Sequence, residues 1–441
     1  MKRTLLSNCR IVNPYGIIPF IENGYILIED GSIGKIGSGR PDITLQDVVD
    51  LHGKTVLPGM INAHAHLYSS LALGMPFPEN IPPNFIEKLK TVWWILDRAL
   101  DEESTKASFE IGLLEHLENG VTTVIDHHSS QNFIPGSLDQ FADIAENIGM
   151  NISGAFEITD RNGKATFRQS LDENIRYHQK FAQNTQIRPL IGLHASFTLS
   201  DESLKYISEK IHTLSNWGIH IHVSEDKADE LDANNRGYNS VIQRLHSFDL
   251  LNENSLVIHG THLHPGDVVT IIESAASLVH NPTSNANNRV GMTPNSIIEE
   301  LSAGLGTDGM QSSMLKEAKE GSLIRSSHLQ GGKNSVNYDE LLFKNNPAIA
   351  SNLFGLKIGK IDPGYAADLA IFDYHPKTEL HENNCIGHIL FGLEKPSDVM
   401  TRGEFRIRDD KCVTLDAEKI RNNAENQSKR LWLRMIEKEN H

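Results

Sequence analysis

The sequence predicts an α/β fold: a (β/α)8 (TIM) barrel with a small β-sandwich domain assembled from both chain termini. Three observations predict it. Eight short apolar, β-rich runs lie between residues 56 and 310, separated by amphipathic stretches, and that alternation favours a closed parallel barrel over an open sheet. Turn-rich alternating β texture precedes this region and returns after about residue 350. Almost every one of the eight runs ends in a histidine or a carboxylate, where a barrel of this kind gathers its reactive groups.

Taken in order, residues 1–55 form the N-terminal part of the sandwich. The runs Gly24–Glu29 and Ser32–Ile36 flank Asp30-Gly31, a hairpin signal. The barrel spans residues 56–353. Its strands are expected at Val56–Ile61, Thr122–Ile125, Asn151–Phe156, Pro189–Leu193, Ile219–Val223, Leu256–Ile258, Ser277–Val279 and Leu301–Gly306, with helices such as Glu102–Glu118 and Asp201–Ser215 between them. Residues 354–441 return to the sandwich. Lys360–Phe372 reads as a turn followed by a buried strand, and a charged helix, Ala417–Glu439, closes the chain.

Composition bounds the function. The 441 residues carry a formal charge of −16, which argues against a nucleic-acid binder, because phosphate contacts require a basic surface. The three cysteines, Cys9, Cys385 and Cys412, are far apart, so a disulfide framework is not expected and a reducing, cytoplasmic setting fits. The N-terminus has no signal-peptide core, and no apolar run reaches the roughly 18–20 residues of a membrane span. A homodimer is the default expectation from symmetry.

The most informative local feature is His64-Ala-His66, at the end of the apolar run Val56-Leu-Pro-Gly-Met-Ile-Asn-Ala. On an extended strand, residues i and i+2 share a side, so both imidazoles can grip one metal ion. Alone the pair is better read as two surface or capping histidines in a chain with 21 of them. Other strand ends change the weighing. They offer Asp126-His127-His128, His194, His220-Ile-His222-Val-Ser-Glu225, His259 and Thr307-Asp308-Gly309. Isolated buried charges are costly, so a ring of them implies a shared partner, most simply a metal ion. His220 is assigned to the barrel wall, on the side opposite to His222.

These motifs, with Asp362-Pro-Gly-Tyr-Ala-Ala-Asp-Leu369, resemble the amidohydrolase superfamily nearly end to end, in its cytosine deaminase and chlorohydrolase-like branch. Leu89–Ser104 and Val124–Ser129 are similar to the SsnA-type aminohydrolases, a subgroup associated with purine breakdown in anaerobic bacteria. The resemblance implies one divalent metal ion, zinc or alternatively iron(II), on His64, His66, His222 and Asp308, ligand types that suit either ion. It implies that a metal-activated water attacks the substrate, with Asp308 accepting a proton, His259 orienting the reacting group, and Glu225 shuttling protons to a ring nitrogen and the leaving group. His194 resembles the family's substrate-contacting histidine. Trp93 lies where the family builds a lid and is expected to stack on a planar heterocycle, with Trp94 beside it. One of His127 and His128 is expected to reach the pocket, and His127 is placed among the substrate contacts. Asn281, Ser284 and Asn285 are further candidates. Leu73 stands where many relatives have arginine, which puts that part of the pocket in doubt.

The implied activity is hydrolysis of a C–N bond of a planar nitrogen heterocycle, first as deamination of a purine-like compound. Ring opening of a cyclic amide is the alternative, dechlorination a third. The small zinc deaminases of flipped nucleobases are excluded, because they need a Cys-x-x-Cys that this chain lacks. A non-catalytic barrel scaffold is the remaining class. It is disfavoured because His64, His66, His222, Glu225, His259 and Asp308 are all present.

Overall fold

The computed structural model describes residues 2–41, 47–78, 81–328 and 336–439. Eight parallel strands form the barrel. The first four are Met60–Ala65, Val121–His128, Asn151–Phe156 and a two-part fourth strand, Ile187–Pro189 with Ile191–Ala195. The others are Ile219–Val223, Leu256–His259, Ser277–His280 and Gly304–Leu305. Each pairs in parallel with the next. The fourth strand is broken around Leu190, beside Pro189, which has no N–H to give to a ladder. The Leu190 N–H still donates to Gly154 O at 3.0 Å, so the wall stays continuous.

The circle closes between strands eight and one. The backbone N–H groups of Thr307 and Asp308 both donate to His64 O at 3.0 Å. This approach requires Gly306: a Cβ there would lie 2.8 Å from His64 Cβ and 2.5 Å from Asn281 Oδ1. Asn62 adds a side-chain tie, donating to Thr307 Oγ1 at 2.7 Å. Inward apolar residues such as Ile61, Ile125, Ala155 and Ile258 pack in one cluster with Ile349 and Leu353 of helix Asn346–Phe354.

Both termini build one nine-stranded sheet. The hairpin Phe20–Glu29/Ser32–Ser38 pairs as its turn signal implies, with Glu29 opposite Ser32. Strand Leu369–Phe372 is wholly buried. It runs antiparallel to Thr55–Pro58, which in turn pairs with Arg3–Val12. The apolar run read as one strand from Val56 is therefore two strands in two sheets, divided at Gly59. The sheet shares a core from both chain ends, including Leu6, Ile11, Ile26, Val56, Leu369 and Met400. Helices Glu102–Glu118 and Ala417–Glu439 occupy the expected residues. The former begins with a capping box, in which Asp101 Oδ1 accepts the Ser104 N–H at 3.0 Å, a typical helix start. No helix among the described residues is long and apolar enough to cross a membrane.

Candidate active site

The strand ends deliver their polar groups to one point. The ladder between strands one and two shifts register between Asn62 and Ala65. Such an irregularity re-aims side chains: Ile61 and Ala63 face the barrel core, yet His64 also turns inward beside His66, with ring centroids 4.7 Å apart. One nitrogen each from His64, His66 and His222 and one oxygen from Asp308 lie within 4.8 Å of one another. Glu225, His259 and Asp308 form a second such group alongside. Three positions here adopt left-handed backbone although none is glycine: Ser224, His259 and Asp308. Strain of that kind, about 1–3 kcal/mol per residue, collects where surrounding structure over-determines the backbone.

Hydrogen bonds fix which imidazole nitrogens face the centre. His66 Nδ1 donates to His127 O at 2.6 Å, and His222 Nδ1 donates to His194 O at 2.7 Å. When both rings are neutral their Nε2 atoms present lone pairs to each other, 3.1 Å apart. Two facing lone pairs repel unless a cation lies between them. His64 Nδ1 meets His220 Nε2 at 2.8 Å, and His64 Nε2 is buried with no hydrogen-bond partner. Asp308 Oδ1 completes the set, 2.9 Å from His66 Nε2 and 3.6 Å from His64 Nε2. An orphaned buried nitrogen, two opposed lone pairs and a carboxylate make a donor set that fits a divalent metal ion. The charges agree. Burial opposes a charge on His66, but Asp308 outweighs it and holds the ring up at about 9. Burial likewise opposes ionisation of Asp308, yet His66 and His64 hold its carboxyl well below the usual range. The site is built around one negative group that requires positive charge next to it.

Glu225 and His259 lie beside this cluster, with Glu225 bordering the cavity. His259 Nε2, also buried without a hydrogen-bond partner, is 3.5 Å from Glu225 Oε2 and 3.9 Å from Asp308 Oδ2. Burial pushes the Glu225 carboxyl up to about 7, against the pull of His259. The short helix after strand seven, Pro282–Asn288, holds all three: Ser284 donates to Asp308 Oδ2, Asn285 Oδ1 meets His259 Nδ1 at 2.8 Å, and Asn288 donates to Glu225 Oε1 at 3.2 Å. Ser284 and Asn288 also border the cavity, whereas Asn281 is wholly buried away from it. Asn288 was not singled out from the sequence. Its signal was its place one helical turn after Ser284.

An open cavity of about 800 Å³ leads to this point, a volume suited to a small heterocyclic ligand. Apolar walls come from Phe85, Leu89, Trp93, Trp94 and Phe197, and polar edges from Asp97, Glu157, His194 and Glu225. Thr198 spends its hydroxyl proton on Ala195 O, so it accepts from His194 Nδ1 at 2.9 Å and leaves His194 Nε2 as an acceptor. His127 is fully buried and does not border the cavity; its ring packs 4.8 Å from that of His222 and its Nε2 meets Leu193 O at 3.0 Å. His128 packs against Phe109 and Phe156 and meets Ser130 Oγ. Leu73 is 92% exposed and does not border the cavity.

Two sequence readings need correction or addition. His220 does not point away from His222. Residues i and i+2 of a strand share a face, and His220 accordingly lies inside, against His64. Asp97, Glu157 and Arg161 were missed. Arg161 bridges Glu157 and, at 3.6 Å, Asp97, and its guanidinium stacks on Trp94 at 4.4 Å from the ring centre. Asp97 Oδ1 is buried without a hydrogen-bond partner. Only the proximity of Asp97 to the Trp93-Trp94 pair could have flagged it.

A sequence model of the amidohydrolase family matches residues 55–405. A 5-methylthioadenosine/S-adenosylhomocysteine deaminase of Thermoanaerobacter pseudethanolicus is 27% identical, over 97% of this chain and 99% of the relative. Among solved structures, an adenosine deaminase from Xanthomonas campestris with bound zinc superposes with a TM-score of 0.83 at 18% identity, covering 97% of this chain and 98% of that one. A zinc complex of the atrazine chlorohydrolase from Arthrobacter aurescens gives 0.81 at 18% identity, over 96% of this chain and all of that one. Both structural likenesses establish the shared fold.

Proposed function

The chain belongs to the amidohydrolase family, a hydrolase of carbon–nitrogen bonds, and on that premise we propose that it deaminates a purine-like heterocycle with the help of one divalent metal ion, zinc first. One observation carries the reading: three imidazole nitrogens and a carboxylate converge beside a carboxyl poised near neutrality, at the inner end of an aromatic-walled cavity.

His64, His66, His222 and Asp308 would hold the metal, which when bound supplies a Lewis acid that makes water nucleophilic near pH 7. The chain's own groups do the rest. Trp93, Trp94, Phe85 and Phe197 pack on the planar ring and exclude bulk water. His194 Nε2 accepts a ring or substituent N–H. Asp97 Oδ1, an unsatisfied buried acceptor, takes a hydroxyl or amine of the substrate. Asp308 Oδ2 receives a proton from the attacking water, with Ser284 holding that oxygen in place. Glu225, near 7, gives its proton to a ring nitrogen and recovers one for delivery to the leaving amine. His259 steadies the charge that develops between the two carboxylates. Water and an aminoheterocycle become an oxoheterocycle and ammonia. The names of the sequence relatives favour adenosine-type substrates such as 5-methylthioadenosine. They lend no support to the ring-opening alternative.

Ammonia release measured beside metal content tests this. Glu225→Gln should keep the metal and lose about 10²–10⁴-fold in turnover, the usual worth of a positioned proton carrier. Asp308→Asn should lose both metal and turnover. Native turnover in either variant contradicts the assignment.

A further inference from the structure

Glu225 follows Ser224, whose backbone is left-handed at φ 50°. Three groups hold Ser224 there. Its N–H donates to Asp229 Oδ2 at 2.8 Å, its hydroxyl donates to Glu230, and its carbonyl accepts the His262 N–H at 2.9 Å. Asp229 does more than its neighbours. It sits in the first turn of helix Lys227–Asn235 and is 2% exposed. Its Oδ1 accepts the N–H of Phe197 at 3.3 Å. Phe197 belongs to the turn Ser196–Thr198 that leaves strand four just beyond His194. One carboxylate thus ties the loop after strand four to the loop after strand five, and both loops wall the cavity.

We propose that Asp229 is a positioning residue for the reaction. It acts through Ser224 to keep the Glu225 carboxyl between His259 and Asn288, at 3.5 and 3.2 Å, and it sets that carboxyl's distance from His194 and Phe197 on the facing loop. The inference rests on Glu225 as the proton carrier. Burial pushes this carboxyl up to about 8, yet both of its oxygens keep lone pairs, and both partners here are backbone N–H donors. An asparagine of the same size satisfies only one of them and turns an NH2 towards the other.

The test is a double-mutant cycle with metal content measured for every variant. Asp229→Asn should lower kcat by about 10–100-fold, more than it changes KM, with metal bound as in the native protein, because misplacement of a reacting group by about 1 Å costs that much. In a Glu225→Gln background, followed in single turnover, the same substitution should change the rate by less than about twofold, since two residues acting through one group are not additive. Amide hydrogen exchange at Ser224 and Phe197 should quicken in Asp229→Asn. Equal losses in both backgrounds, a native kcat, or unchanged exchange at both amides would overturn the inference. A fully active Glu225→Gln would instead overturn the reading it rests on, and is a separate result.

Discussion

At the scale of single residues, tautomer control organises the site. Each ligand-competent histidine commits Nδ1 to a neighbour: His66 to His127 O, His222 to His194 O, and His64 to His220. The carbonyl partners come with the fold, but His220 is a side chain and can be removed. If it fixes the proton of His64 on Nδ1, His220→Ala should weaken metal affinity by about 10–100-fold, the usual cost of losing such an outer partner. Competition with a chelator reads this directly, and unchanged affinity would mean that His64 needs no help. Much at this scale was legible beforehand. His64, His66, His222 and Asp308, strand-end residues that the family resemblance groups as one ligand set, lie together. Glu225 and His259 lie beside them. What escaped had a physical reason. Asp97 lies some sixty residues before Glu157 and Arg161, and each alone reads as an ordinary solvated charge. Only their burial around Trp94 reveals a cluster.

At the scale of elements, helix Pro282–Asn288 carries the greatest share of the site's precision, because three of its side chains touch Asp308, His259 and Glu225. Its first turn is anchored by buried Glu317, which accepts from the Thr283 N–H at 3.1 Å, the Thr283 hydroxyl at 2.6 Å and Gln311 at 2.7 Å. Burial nonetheless pushes the Glu317 carboxyl up to about 7 from an ordinary 4.5. Between those pH values the folded chain binds a proton that the unfolded chain has released. Stability from this group is therefore greatest below 4.5 and declines as pH rises, levelling off above 7. Glutamine does not titrate, so the melting temperature of Glu317→Gln relative to the native chain should climb by about 1–4 °C between pH ~5 and pH ~8. Thermal scans at both pH values check it, and a constant gap contradicts it. The split of the first apolar run at Gly59 belongs to this scale too. Thr55–Pro58 and Met60–Ala65 are both wholly buried, so only the distant partners Arg3–Val12 and Leu369–Phe372 show that they serve different sheets.

At the scale of the whole molecule, the terminal segments brace the barrel from two sides. At the end remote from the site, Asn151 donates to Asp368 Oδ2 at 3.0 Å and accepts from Arg402 Nη2 at 3.0 Å, docking the terminal sheet. Nearer the cavity, the last helix reaches over the segment that supplies its wall. Trp432 donates to Leu71 O at 2.9 Å, and Arg434 donates to Ala99 O at 2.7 Å, two residues beyond Asp97. The barrel was legible because strand and helix textures alternate locally. The sheet made from both ends was legible only as recurring β texture, since pairings such as Thr55 with Phe372 leave no local trace. The central claim is that this assembly removes an exocyclic amine from a purine-like ring. Mass spectrometry of the products from zinc-loaded protein with 5-methylthioadenosine, adenosine and guanine tests it most directly. The account predicts a product in which NH has been replaced by O, with one ammonia released per turnover. A product that has gained a whole water, with its ring opened and no ammonia released, would contradict it.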